Sequence, residues 1–287
     1  MDALTLVRRG WLPRRRRRAA ALGVGPSFRI VVLLLTTIYF VVPLLASTIF
    51  SFQGVGGRPS LASYQAVFAE PLLWPTLTLS LEIALGTILL TLLLIVPTVV
   101  WVNLRLPHLR RLMETLSLLP LATPAVVLVL GIFAAFRGLP QLIVGTPVIL
   151  ALEYVVLAMP YSYRVIDAGV QAIDVHTLVD AARSLGASWP QVLLRVLMPN
   201  LQGAILSASF LTLALCLGEY AVASLLTFNT FPVWLVQVGL NRAGEAVALS
   251  TFALVFTWGL LLVISFGTAR RRPRPRSRTP ATAQAQP

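Results

Sequence analysis

DAARSLGASWPQVLLRVLMPN, residues 180–200, is a polar interruption between two long apolar segments. It reads as two short helices joined near Gly186. Asp180, Ala181 and Ala182 open the first helix. Gly186 lets the backbone turn sharply where a Cβ would be costly. Trp189-Pro190 starts the second helix, with proline tolerated in a first helical turn. Val192, Leu193, Val196 and Leu197 then recur at helical spacing and form one apolar face. Pro199 closes the unit just before the next apolar run.

The surroundings of this stretch are set by composition. The chain has 287 residues, of which 57% are hydrophobic and 11% charged. A soluble domain of that composition would lack the polar surface to stay in solution, so a polytopic membrane protein is expected. The net charge of +13 does not point to nucleic acid, because the basic residues flank apolar spans instead of lining one face. All 23 basic residues are arginine. Without lysine there is no phosphate-loop lysine and no Schiff-base lysine. One cysteine and two histidines allow no intrachain disulfide and offer almost nothing for a metal site. No catalytic residue, metal or cofactor is therefore expected, and any ATPase must be a partner subunit.

Working outward, the fold class is all-α, with six transmembrane helices over residues 28–268. Residues 1–27 form a basic segment with Arg14 to Arg18 in a row, suited to an anionic leaflet. The apolar run Phe28–Phe50 is long for a signal-peptide core and suits a span of about 30 Å. Residues 51–76, rich in glycine and proline, form an external loop with a short interfacial helix around Leu61–Phe68. The second span is about Leu77–Asn103, followed by a basic turn at Leu104–Arg111. The third is about Leu112–Phe136, with Pro120 and Pro124 inside it, and a tight turn at Arg137–Gln141 follows. The fourth is about Leu142–Pro160. The loop over residues 161–200 comes next. The fifth span is about Leu201–Phe228, Asn229–Glu245 is an external connection, and the sixth span is about Ala246–Gly267. Residues 269–287 form a disordered basic tail. Pro43, Pro97, Pro120, Pro124 and Pro147 act as kinks or hinges in the spans.

Arginine placement gives the orientation. Of the 23 arginines, 20 lie in the N-terminal segment through the start of the first span, in the turn after the second span, in the 161–200 loop and in the tail. Only Arg58, Arg137 and Arg242 lie on the other side. This asymmetry places both termini and the loop in the cytoplasm.

The 180–200 stretch resembles the EAA loop of the permease subunits of binding-protein-dependent ABC importers. The family pattern is Glu-Ala-Ala, three residues, Gly, nine residues, Ile, one residue, Leu-Pro. Asp180, Ala181, Ala182, Gly186, Val196, Met198 and Pro199 keep that spacing, with Asp for Glu, Val for Ile and Met for Leu. Six spans with this loop before the fifth also resemble the family, over about residues 28–268. The span arrangement and the Gly218-Glu219-Tyr220 segment look most like the second permease of spermidine/putrescine-type systems.

The resemblance implies an inner-membrane subunit that lines a path for a small hydrophilic solute, with a polyamine as the best guess. Ala181 to about Leu193 would be a coupling helix docked on a cytoplasmic ATPase, with Asp180 and Arg183 at its rim. The implied partners are two ATP-binding subunits, a second permease that is either a similar chain or a copy of this one, an external solute-binding protein and the lipid bilayer.

Glu219 lies inside the fifth span, where an ionisable group costs at least about 2.5 kcal/mol and must face a cavity or a partner. It is either a position on the translocation path, where it would meet a cationic solute, or a carboxyl that is protonated or hydrogen-bonded to a neighbouring helix. Glu153 in the fourth span invites the same two readings, and Glu82 lies near a membrane face. The alternative function is a secondary transporter driven by an ion gradient. That reading calls for several coupled intramembrane charges and an inverted repeat. Glu153 and Glu219 are the only candidates, and no strong repeat is visible.

Overall fold

The computed structural model describes residues 26–54, 57–136, 138 and 145–269. The N-terminal segment up to residue 25, the tail from residue 270 and the expected Arg137–Gln141 turn, Gly138 apart, lie outside that range. The described chain is helical, and its one β feature is an isolated antiparallel bridge between Gln53 and Pro59.

The chain divides into two compact units at Ile49/Phe50. The first contains most of helix α1, Pro26–Ser51, a 26-residue apolar rod with Pro43 inside it. The second begins with α2, Ala62–Ala69, a short helix where one is expected around Leu61–Phe68. α3, Leu73–Arg105, is 33 residues long and continues through Pro97. A 3₁₀ turn at Pro107–Leu109 leads into α4, Arg110–Ser117, then α5, Leu119–Ala122, and α6, Ala125–Ala135. α7 is Pro147–Gln171 and α8 is Val175–Ser184. α9, Trp189–Gln191, runs through a π-helical turn at Val192–Leu197 into α10, Met198–Asn200. α11, Gln202–Gly218, and α12, Ala221–Leu225, are followed by α13, Phe231–Asn241, and α14, Ala243–Ala269.

Four described helices are long and apolar enough to cross a membrane, and the count reaches six if two bent pairs each form one span. The two bent pairs revise the expected straight spans. Pro107–Ala122 and Ala125–Ala135 meet at 106°. Pro124 explains the break, since a proline drives the preceding residue out of the helical region. Thr123 is accordingly extended, at φ −96° and ψ 122°. The expected third span thus folds as two legs. Trp189–Asn200 and Gln202–Gly218 meet at 80°, just after Pro199.

Further boundaries move for identifiable reasons. α7 does not stop at Pro160 but runs eleven residues into the expected loop, to Gln171. Tyr163, Ile166, Asp167 and Val170 are buried at helical spacing there, so the core-facing stripe continues beyond the most apolar stretch. Pro147, expected inside a span, sits in the first turn of α7. The expected connection Asn229–Glu245 contains α13, whose Phe231, Pro232, Val233 and Trp234 are buried. The first loop helix opens at Val175, so Asp180, Ala181 and Ala182 occupy its second half.

α3, α7 and α11 pack on one another and form the centre of the second unit. At the loop end, Ile95, Val99, Tyr163, Ile166, Val192 and Leu197 share one buried cluster. A second cluster joins Ile83, Ala84, Leu150, Tyr154, Cys216 and Val222 further along the same helices. α7 and α11 approach closely at Gly169, where a Cβ would lie 2.5 Å from the Ala204 Cβ. Glycine is therefore required at this crossing by space rather than by backbone freedom.

Candidate functional site

The loop between α7 and α11 is built from two capped helices. Asp174 starts α8: its carboxylate accepts hydrogen bonds from the Thr177 backbone N–H at 3.3 Å and the Thr177 hydroxyl at 2.7 Å. Those two bonds hold the Asp174 carboxyl below its usual range, with His176 nearby adding to the effect. Val175, Val179 and Ala182 are buried at i, i+4 and i+7, and they seat one face of α8 on the core. Asp180, Ala181 and Arg183 are exposed on the other side.

α8 ends in a Schellman turn. The Gly186 N–H donates to the Arg183 carbonyl at 2.9 Å, and the Ala187 N–H donates to the Ala182 carbonyl at 3.1 Å. Gly186 has φ +80°, a left-handed conformation that favours glycine. Its turn leaves Leu185 at the tip with 89% of its surface exposed. Ser188 then caps α9 reciprocally with Gln191, and the Ser188 N–H donates to the Gln191 side-chain oxygen at 2.8 Å. Trp189 and Pro190 follow, so the second helix starts where the sequence places it. Its continuation widens into a π-helical turn, with Val192 and Leu197 buried and Leu194 exposed. Val196 is partly buried against the core, and Pro199 lies in the last turn before the 80° bend.

Trp189 ties the loop to the end of α3. Its ring lies 5.8 Å from that of Trp101, and the guanidinium carbons of Arg105 and Arg183 lie 5.9 and 5.7 Å from its centroid. Below this contact, Asp167 anchors three helices. Arg110 donates from Nε and Nη2 to Asp167 Oδ2 at 3.1 and 3.0 Å, Asn103 Nδ2 donates to Oδ1 at 2.9 Å, and Gln171 Nε2 donates to Oδ2 at 2.7 Å. Asp167 is only 6% exposed, and its partners on α3, α4 and α7 satisfy it.

Glu153 and Glu219 lie in other elements than the loop. Glu219 follows the last residue of α11 in an extended conformation, at φ −80° and ψ 117°. Its carboxylate accepts from the Val222 N–H at 3.1 Å, the Ala223 N–H at 3.4 Å and the Tyr154 hydroxyl at 3.1 Å. It thus caps α12 and reaches α7, as the hydrogen-bonded reading expects. Glu153, beside Tyr154, is 7% exposed, and its Oε1 has no hydrogen-bond partner among the described residues. Glu82 is exposed. No group of three or more His, Cys, Asp or Glu side chains suited to a metal occurs among the described residues.

Sequence reading singled out Asp180, Ala181, Ala182, Arg183, Gly186, Val196 and Pro199, and all belong to this one loop. It passed over Asp174, Leu185, Trp189 as a stacking partner, and the Asp167–Arg110 pair. An Asp immediately before a helical run, with its hydrogen-bond partner three residues on, is a readable cap signal. Asp167 carried a signal too, as an acid on the buried stripe of a helix. The Arg105–Trp189 stack had none, since its partners are separated along the chain.

Comparison with known proteins agrees with this architecture. Residues 101–276, more than half of the chain, match the family described as the binding-protein-dependent transport system inner membrane component. The spermidine/putrescine transport system permease protein PotB of Escherichia coli is 25% identical over 224 residues, covering 70% of this chain and 80% of PotB. The thiamine transport system permease protein ThiP of Escherichia coli is 27% identical over 214 residues, covering 69% of this chain and 38% of ThiP. The crystal structure of a bacterial ABC transporter involved in the import of the acidic polysaccharide alginate contains a chain of the same fold. It superposes with a TM-score of 0.65 at 14% identity, covering 86% of this chain and 95% of that one. The chain belongs to the family of binding-protein-dependent transport system inner membrane components, the permease subunits of ABC importers.

Proposed function

We propose that this permease works with two cytoplasmic ATP-binding subunits, a second permease and an external solute-binding protein, and that the loop around Gly186 is its ATPase dock. The observation carrying this reading is the loop's two-sidedness. Ala182 and Val179 are buried on the core, whereas Asp180, Ala181, Arg183 and the tip residue Leu185 face outward. An exposed leucine beside small residues on a rigidly capped helix suits a hydrophobic groove on a partner. Residues 1–27, the 161–200 region and residues 269–287 would face the cytoplasm, as arginine placement supports. The permease domain would occupy residues 28–268, with the loop proper starting after Gln171.

The cargo we favour is a polyamine. One named relative is a spermidine/putrescine permease, and the carboxylates of Glu153 and Glu219 suit a cationic solute on the path. The thiamine permease among the relatives fits the same charge class, so cationic character is the more general part of the reading.

The test is purification of the tagged chain from its native membrane, with identification of co-purifying proteins, in wild type, Gly186→Leu and Leu185→Asp. An ATP-binding subunit should accompany the wild type and be lost from both variants while they remain inserted. A transport-competent wild-type preparation lacking any ATPase would instead favour the ion-gradient-driven alternative, with Glu153 and Glu219 as its coupled groups. Uptake assays with radiolabelled spermidine and thiamine would separate the two cargoes.

A further inference from the structure

Two hollows adjoin at Trp189. One, of about 350 Å³, is apolar and lies between α3 and α9 and its π-helical continuation, against Pro97, Val100, Trp101, Leu193, Leu194 and Leu197. The other, of about 360 Å³, is lined by Arg105, Arg183, His176 and Asp180 among others. Trp189 lines both. Arg105 and Arg183 lie within 6 Å of its ring centre, at 5.9 and 5.7 Å. Among the described residues, neither guanidinium is within salt-bridge distance of a carboxylate. Arg183 donates one bond, to the Ala187 carbonyl at 2.8 Å. Asp180 is the one acid lining the polar hollow, against two arginines.

Leu89, Leu93 and Leu94 are exposed on the turns of α3 that precede Pro97, the first α3 residue to line the apolar hollow. The combination is amphiphilic: an apolar hollow at the end of a membrane-length helix adjoins, across Trp189, a polar one lined by two arginines. Each part has a physical counterpart in one ligand class. Tryptophan favours the headgroup level of a bilayer. Guanidinium forks match phosphate oxygens, and the arginine stem can lie on an apolar surface while its head reaches the anion. A soluble anion would use the arginines but not the slot, and a neutral lipid would use the slot but not the arginines.

We propose that this two-part hollow binds one anionic glycerophospholipid, with an acyl chain in the slot beside Trp101 and Leu194 and the phosphate between Arg105 and Arg183. Asp180 and Arg183 belong to the docking loop as well, whereas Arg105 ends α3 and lies outside it, so a change at Arg105 distinguishes this site from ATPase docking.

The test is native mass spectrometry of the detergent-purified transporter complex, titrated in parallel with dioleoylphosphatidylglycerol and dioleoylphosphatidylcholine. The wild type should retain the anionic lipid preferentially. Arg105→Ala should lower that preference about fivefold, the worth of one arginine near an anionic surface. Leu194→Trp, which fills the slot, should weaken retention of both lipids. ATPase co-purification should persist in Arg105→Ala, which separates this proposal from the docking reading. Equal retention of the two lipids by wild type would overturn the proposal, as would an unchanged preference in Arg105→Ala. Protection of Leu194→Cys from a maleimide in the delipidated complex would show that a protein partner covers the slot, and would also overturn it.

Discussion

Asp167 offers the sharpest test of how the loop end is held together. Its side chain is 8% exposed and that of its partner Arg110 is 38% exposed, at an Nη2–Oδ2 distance of 3.0 Å. Asn103 and Gln171 add bonds of 2.9 and 2.7 Å to the same carboxylate. Substituting Asp167→Asn keeps the shape, removes the charge and turns an acceptor into a donor facing donors. Breaking a buried pair costs roughly 3–5 kcal/mol. Because Arg110 is more than a third exposed, solvent screening brings the expected loss down to about 2 kcal/mol. Arg110→Gln should cost less, about 1 kcal/mol, since Asn103 and Gln171 still satisfy the carboxylate. The assay is a double-mutant cycle on reversible unfolding in mixed micelles. We expect a coupling energy of about 1 kcal/mol or more between the two positions. Additivity within about 0.5 kcal/mol would refute the claim that the pair acts as a unit.

Two further predictions concern the same region. Gly169→Ala should destabilise the chain by about 1–3 kcal/mol through overpacking. The added methyl would lie 2.5 Å from the Ala204 Cβ, and Ala204→Gly in the same chain should restore much of the unfolding midpoint. Asp174 carries a pH signature. Its folded carboxyl is held below the usual 3.8 by its bonds to Thr177, so the cap contributes above that value and is lost as pH falls through the lowered folded value. The difference in loop protease resistance between wild type and Asp174→Ala should therefore be full near neutrality and vanish in strong acid. A difference that grows on acidification would contradict the cap.

Much of the architecture was legible because its signals are local. Apolar length identifies α3 and α14, and the arrangement Ala182, Gly186, Trp189-Pro190 marks a helix end, a left-handed turn and a new start. These are backbone requirements, written in the residues that meet them. Other features were hidden for equally physical reasons. The stretch 161–171 is polar enough to look like loop, yet Tyr163, Ile166 and Val170 keep the buried stripe of α7 going. α13 has the sequence of a connection, although its first turn buries Phe231 and Trp234. Proline cues were present at Pro124, but the sequence gives no angle, and a 106° bend differs from a kink only in three dimensions. Glu219 is the reverse case. Its charge points to function, and its three hydrogen bonds, to the first turn of α12 and to Tyr154, add a structural duty that depends on contacts distant in the chain.

These observations bear on how a push at the loop would be felt. Leu185 stands on a turn fixed by backbone bonds to Ala182 and Arg183, and behind it Val179, Ala182 and Val192 share one buried cluster with Ile95, Val99, Ile166 and Ala208. That cluster takes residues from α3, α7, α8 and α11, so the loop is packed against the ends of the three central helices instead of hanging between two of them. Packed interiors are nearly incompressible, and a displacement at the tip is transmitted as rigid-body movement rather than absorbed. The weak points lie elsewhere. They are the 80° bend after Pro199, the extended Glu219 and the Thr123–Pro124 break, each of which interrupts helical hydrogen bonding. With the loop as the proposed ATPase dock, a rigid block at one end and interrupted helices beyond it suit such coupling: motion would enter where the chain is stiff and be resolved where it bends.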